Sequence, residues 1–294
     1  MSTKRSIKFN EELHRYTDED NNVYTSVTTL IGKYCPKFDE DFWAKKKSLE
    51  TGLSVSQIKA NWKDIRDAAC ERGTREHKML EDSINGYNNN ADFKFDDIKK
   101  SCFKNLSLQA INKSNIYILA NSPLTEKYPD IYRFLKEYID KGFTLYAEKR
   151  VYWYPNLIAG TIDCLLVKDK QFYIVDWKTN KEPLKFKSGY YRKVNGIKTN
   201  DWVDKKEYLL KPLQYLEHCK GIVYTMQLSI YAYILELWGF KCMGLILFHM
   251  MPNSPLIAHN LIYDKSSCEI LFIAAKNASS HSSSISNTMK FGLF

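Results

Sequence analysis

The chain runs to 294 residues, 44% of them hydrophobic and 26% charged, which suits one soluble domain with a sizeable buried core. Lys and Arg outnumber Asp and Glu by 43 to 34, a formal net charge of +9 that points to a polyanionic partner, nucleic acid first, although a merely basic surface reads the same way. Seven cysteines, an odd number with no CxxC pair, argue against a disulfide framework or a zinc knuckle, and no apolar run approaches the roughly 18 residues of a membrane span.

In chain order, Ile7-Lys8-Phe9 and Val23-Tyr24 read as a short strand pair about the polar turn Asp18 to Asn22, leading into a helix that Ser26 or Thr28 caps. Residues 38–81 read as helical, with Trp43, Leu49, Ile58, Trp62 and Ile65 as core candidates. The polar stretch 85–97 reads as a loop, and 128–141 as a helix through Tyr128, Tyr132, Leu135 and Ile139. Three strands come next, 144–154, 158–168 and 172–178. Pro155-Asn156 breaks the first from the second, and Lys168 to Gln171 turns the second into the third, an antiparallel meander. A basic, aromatic-rich insertion covers 185–221, and an apolar helix is expected over 223–238. Strands are expected over 243–250 and 256–263, then a helix over 265–277 and a disordered Ser-rich tail from His281 to Asn287. The pattern predicts one α/β domain over 1–294: an N-terminal helical part at 1–142, a core at 143–277 and a flexible tail at 278–294. The opening MSTKRSIKFNEELHRY lacks the apolar stretch of a secretory signal, so a soluble, intracellular protein with no membrane partner is expected.

The chemistry-bearing segment is Leu157-Ile158-Ala159-Gly160-Thr161-Ile162-Asp163 followed by Phe172-Tyr173-Ile174-Val175-Asp176-Trp177-Lys178-Thr179-Asn180. Strand residues two apart share a face, so Asp176 and Lys178 project together while Val175 and Trp177 point away. The antiparallel partner strand brings Asp163 alongside. Two carboxylates and the Trp177 backbone carbonyl suit magnesium, and a lysine beside them suits orientation of water or stabilisation of charge on phosphorus. By itself an Asp-x-Lys is equally an exposed ion pair. Asp176, however, follows an apolar run that reads as buried, where an unpaired carboxylate is costly.

The pattern G-x-x-D, an apolar strand and D-W-K-T resembles the RecB-like exonuclease branch of the PD-(D/E)XK nuclease superfamily. Gly73-Thr74-Arg75-Glu76-His77 with Leu80-Glu81 resembles that branch's histidine-bearing helix, Glu148 its upstream glutamate, and Gln227-Leu228-Ser229-Ile230-Tyr231 its Q-x-x-x-Y helix. Within the branch, the opening Ser26-Val27-Thr28 and the D-W-K-T-x-x-x-P block are similar to the mitochondrial genome maintenance exonucleases and to phage and large-virus relatives. The resemblance implies a restriction-endonuclease-like core, a central mixed sheet flanked by helices, and a Mg2+- or Mn2+-dependent DNA exonuclease of replication, repair, recombination or genome processing. It implies Asp163, Asp176, Lys178 and Glu148 as catalytic residues and His77, Asp163, Asp176 and the Trp177 carbonyl as metal ligands. Gln227, Tyr231, Thr179 and Arg75 are the implied DNA contacts. Some relatives hold an iron–sulfur cluster on grouped cysteines; Cys219, Cys242 and Cys268 lie too far apart for one, so none is expected.

Each accessory residue has a plainer account: His77 as a hydrogen-bonded surface histidine, Glu148 as part of a surface strand beside Lys149 and Arg150, Tyr231 as core. In the insertion, Tyr190, Tyr191, Arg192 and Trp202 interleave cations with aromatics, as single-stranded nucleic acid requires, or form a solvated hairpin. DNA with single strands or free ends is the expected partner, passing between the insertion and the helical region of Lys45-Lys46-Lys47, Arg72 and Arg75. A structure-specific or restriction-type endonuclease and a non-catalytic DNA-binding module are the alternatives.

Overall fold

The computed structural model describes residues 5–88, 119–194 and 196–288. The N-terminus forms three short strands, β1 (Lys8–Asn10), β2 (Arg15–Thr17) and β3 (Val23–Ser26), one more than the sequence suggests. Asp18 organises the turn after β2, accepting from Asn22 N at 2.9 Å and from the Tyr24 hydroxyl at 3.0 Å. Ser26 then caps helix α1 (Val27–Gly32) by accepting from Thr29 N at 3.0 Å.

The expected helical stretch divides into α2 (Glu40–Thr51) and α3 (Val55–Asn88). Gly52 takes a left-handed φ of 74° and sends its N–H to Ser48 O, ending α2 in the conformation glycine adopts without a Cβ penalty. Of the five core candidates here only Ile58 is buried. Trp62 is half-buried, and Trp43, Leu49 and Ile65 face solvent. The expected loop at 85–97 is helical as far as residue 88, and its remainder lies outside the described residues. A short helix α4 (Pro123–Lys127) leads into α5 (Pro129–Asp140), which starts on Pro129, a residue pre-set for a first helical turn. Ile131, Leu135 and Ile139, four apart, bury one face of α5.

The meander appears where the sequence placed it: β4 (Thr144–Trp153), β5 (Ile158–Lys168) and β6 (Gln171–Lys178). After it come a hairpin, β7 (Gly189–Val194) with β8 (Ile197–Asp204), then α6 (Lys220–Leu237), β9 (Lys241–His249), β10 (Ile257–Leu261) and α7 (Lys265–Thr288). Helix α7 runs past the expected end at 277, since neither Gly nor Pro interrupts residues 265–288.

The main sheet has the order β1-β2-β3-β5-β6-β9-β10, with β4 pairing β5 off this path. It is mixed: β3–β5 and β6–β9 are parallel and the other pairs antiparallel. Helices α1, α6 and α7 cover one face with a core that includes Phe172 and Ile174, and α3, α4 and α5 cover the other with one that includes Val175 and Trp177. The expected α/β class with a central mixed sheet flanked by helices is the observed one. Burial of large side chains such as Trp177, Phe172 and Leu135, worth about 1.5–3 kcal/mol each, holds the three layers together. Among the described residues no helix is long and apolar enough to cross a membrane.

Two irregularities open the sheet at one place. Strand β5 shares one edge between β3, at Ile158–Ala159, and β6, at Cys164–Lys168, which leaves residues 160–163 without a ladder partner on that side. Alternation also reverses there: Tyr146 and Val151, five apart, lie in the same core, as do Ile162 and Leu165, three apart. At the reversal on β4 stands Glu148, between the pairs Ala147–Cys164 and Lys149–Ile162, with a φ of 46° that a non-glycine residue seldom adopts.

Candidate metal centre

The gap in the β5 ladder is where the acidic residues meet. Ligand atoms of His77 from α3, Glu148 from β4 and Asp163 from β5 all lie within 4.8 Å of one another, each side chain half-buried. His77 Nδ1 is 3.4 Å from Asp163 Oδ2. The same carboxylate oxygen accepts the Trp177 N–H at 3.0 Å, taking the place that a strand carbonyl would have filled. An extended residue sends its N–H and C=O to the same side. By that geometry the Trp177 carbonyl, an expected ligand, opens on the same side as its N–H.

Asp176 and Lys178 share the α6 side of β6, as the two-residue period predicts. Asp176 is 2% exposed and its Oδ2 lies 2.6 Å from Lys178 Nζ. That contact lacks hydrogen-bond direction, so Oδ2 is a buried carboxylate oxygen with no directed donor. Such an atom is costly unless something compensates it. Here the expected ligand set differs from the observed cluster: Asp176 is drawn to its lysine, and Glu148, expected for catalysis, joins His77 and Asp163 instead.

The electrostatics register an excess of negative charge. Burial pushes the Glu148 carboxyl up to about 8, helped by the charges of Asp163, Glu81 and Asp176. Burial likewise raises Asp176, against the pull of Lys178 and with a further push from Asp163. Lys178 is raised by Asp176 and Asp163 despite its own burial. Three acids, one of them with a buried oxygen that has no directed donor, and an imidazole around one gap are a donor set that fits a divalent cation of oxygen and nitrogen preference.

The surrounding helices are held close by glycines. A Cβ on Gly73 would sit 3.3 Å from Thr179 Oγ1, and Arg72 Nη2 donates to the Thr179 carbonyl at 2.7 Å, so α3 docks on the end of β6. Gly160 lies under the ring of Tyr231, and a Cβ there would meet Tyr231 Cε1 at 2.5 Å. Tyr231 is 3% exposed and its hydroxyl accepts from Gln227 Nε2 at 3.1 Å. It packs the site wall, which matches the plainer account of Tyr231 as core. Gln227 is half-buried, and Arg75 is exposed on α3.

In the insertion, a cleft of about 1310 Å³ is lined by Tyr190, Tyr191, Trp202 and Arg192 of the hairpin, by Phe186, and by Glu50 at the end of α2. Tyr191 and Trp202 meet edge to face at 5.1 Å between centroids, and Lys198 lies 4.3 Å from the Tyr191 ring centre. Of the helical region, only Glu50 reaches this lining; Lys45, Lys46, Lys47, Arg72 and Arg75 are not part of it.

Sequence reasoning missed Tyr224 and Asn180. The Tyr224 hydroxyl donates to Asn180 Oδ1 at 2.9 Å and its ring lies 4.9 Å from Lys178 Nζ. The signal in the sequence was spacing: Tyr224 precedes Gln227 by three on the same helix and so shares its face.

No family model matches the chain, and no curated protein matches it. Among solved structures, that of SSO0001 is similar over 67% of this chain and 82% of its own, at 16% identity and a TM-score of 0.24.

Proposed function

We propose that the chain is a metal-dependent deoxyribonuclease that hydrolyses phosphodiester bonds, acting as an exonuclease on single strands or at DNA ends. The observation that carries this reading is the convergence of His77, Glu148 and Asp163 within 4.8 Å beside a buried Asp176–Lys178 pair. His77, Asp163, Asp176 and the Trp177 carbonyl would hold Mg2+ or Mn2+, with Glu148 near enough to share in the set. A cation bound there supplies Lewis acidity toward a phosphate oxygen and lowers the pKa of water.

The protein's own groups do the rest. The Trp177 N–H fixes the Asp163 carboxylate. Lys178, an ammonium with three donors, orients attacking water or takes up charge that grows on the phosphate oxygens. Glu148, grouped with His77 and Asp163, is placed to take a proton from water or to share in holding the ion. Arg75, Thr179 and Gln227 line the approach to the scissile phosphate. Tyr190, Tyr191, Trp202 and Arg192 offer rings to stack on bases and a cation to meet phosphates, which suits an unpaired strand.

A structure-specific or restriction-type endonuclease would use the same centre, and a DNA-binding module would use the cleft alone. One digestion series separates the three. Circular and end-labelled linear single-stranded DNA, duplex DNA and RNA are incubated with Mg2+, Mn2+ or chelator. Loss of linear DNA with the metal, with circles resistant and Asp176→Ala inactive but still binding, supports the exonuclease. Cleavage of circles supports an endonuclease, and binding without cleavage in either metal refutes the enzyme reading.

A further inference from the structure

Lys178 sits between partners of two kinds. Its Nζ is 2.6 Å from Asp176 Oδ2 and 4.9 Å from the centre of the Tyr224 ring, and only 15% of the side chain is exposed. Tyr224 is fixed at both ends, by its backbone within α6 and by its hydroxyl, which donates to Asn180 Oδ1. Asn180 is anchored in turn. Its carbonyl accepts from Nε2 of the fully buried His249 at 2.9 Å, and two residues earlier the Lys178 carbonyl accepts the Met250 N–H at 2.7 Å. Strand β9 and helix α6 therefore both hold the segment just beyond the lysine.

A carboxylate alone would draw the ammonium onto itself and occupy its donors. An aromatic face attracts the same cation through the ring quadrupole and accepts no conventional hydrogen bond from it. A second, uncharged seat beside Nζ helps hold the lysine in place while leaving N–H groups free for a phosphate or a water.

We infer that Tyr224 is a positioning residue for Lys178, its ring seating the ammonium and Asn180 holding the ring. This rests on the reading of Lys178 as a catalytic donor given above. The role belongs to the ring more than to the hydroxyl, so phenylalanine retains most of it and leucine does not.

The full chain carrying 13C-labelled lysine tests the seat without any turnover. The Lys178 ε-methylene signal, identified by its loss in Lys178→Ala, is expected to be displaced by the ring current in wild type and in Tyr224→Phe. In Tyr224→Leu it should return to the ordinary lysine position. Steady-state cleavage is then expected to show kcat about tenfold or more lower in Tyr224→Leu, KM within about twofold, and Tyr224→Phe within about threefold of wild type. Matching thermal melts of the two variants would assign the loss to the ring rather than to folding. A Lys178 signal that Tyr224→Leu leaves unmoved overturns the inference, as does an effect confined to KM. If wild type cleaves and Tyr224→Leu keeps its full kcat, the positioning role falls alone. A wild-type chain that cleaves nothing in Mg2+ or Mn2+ removes the nuclease reading and the positioning role with it.

Discussion

Replacing Glu148 with Gln removes one proton-binding group from the centre while keeping its size, and the effect on stability has a definite sign. An unfolded glutamate gives up its proton near 4.5, whereas the folded protein holds it to about 8. Between those values the native state binds more protons than the unfolded one, so stability falls as pH rises. The contribution is complete below about 4.5 and gone above about 8. At about 1.4 kcal/mol per pH unit the interval amounts to roughly 5 kcal/mol, an upper bound. Solvent reaches part of the side chain and Asp163, Asp176 and Glu81 respond to the same charge, so on the order of 2 kcal/mol is expected. Urea unfolding in chelator at pH 5 and pH 8.5 reads it directly. Wild type should lose about 2 kcal/mol relative to Glu148→Gln between the two, and a saturating divalent cation should abolish the difference by compensating the carboxylate. Equal losses in both proteins would show that Glu148 is not held protonated by burial and its acidic neighbours.

Other sites give sharper structural tests. Gly160→Ala places a methyl 2.5 Å from Tyr231 Cε1 and is expected to cost about 1–3 kcal/mol by overpacking, with Tyr231→Leu in the same chain restoring much of it; a neutral single variant in thermal unfolding contradicts the packing. Tyr190→Ala and Tyr191→Ala should each weaken single-strand binding in chelator by about 5- to 100-fold, as loss of one stacked base requires, and unchanged affinity at moderate salt would remove the cleft from the path of the strand. Arg72→Ala removes the donor to the Thr179 carbonyl and should lower the melting temperature by several degrees, because a half-buried acceptor loses its partner; an unaltered melt would show that α3 docks without it.

The sheet was legible because strand chemistry is local. Alternating apolar residues, Pro155 and the Lys168–Gln171 turn mark β4, β5 and β6, and the two-residue period put Asp176 and Lys178 on one face. What stayed hidden was long-range. Trp43, Leu49 and Ile65 carry the hydrophobicity of core residues, yet nothing in their spacing says that they are exposed among the described residues. Tyr231 reads equally as a contact or as packing until Gly160 is found beneath it. The Asp176–Lys178 pairing and the grouping of Glu148 with His77 depend on the reversal of alternation at β4 and β5, which a local pattern does not encode. Tyr224 escaped notice because its partner, Lys178, comes from another element.

The proposed chemistry turns on one divalent ion among side chains from α3, β4, β5 and β6. Anomalous scattering from crystals of the chain grown with Mn2+ tests it most directly. One peak is expected, bonded to His77, Asp163 and Asp176 with Glu148 alongside. The absence of a peak at the Asp163 carboxylate, or a peak elsewhere on the molecule, would contradict it.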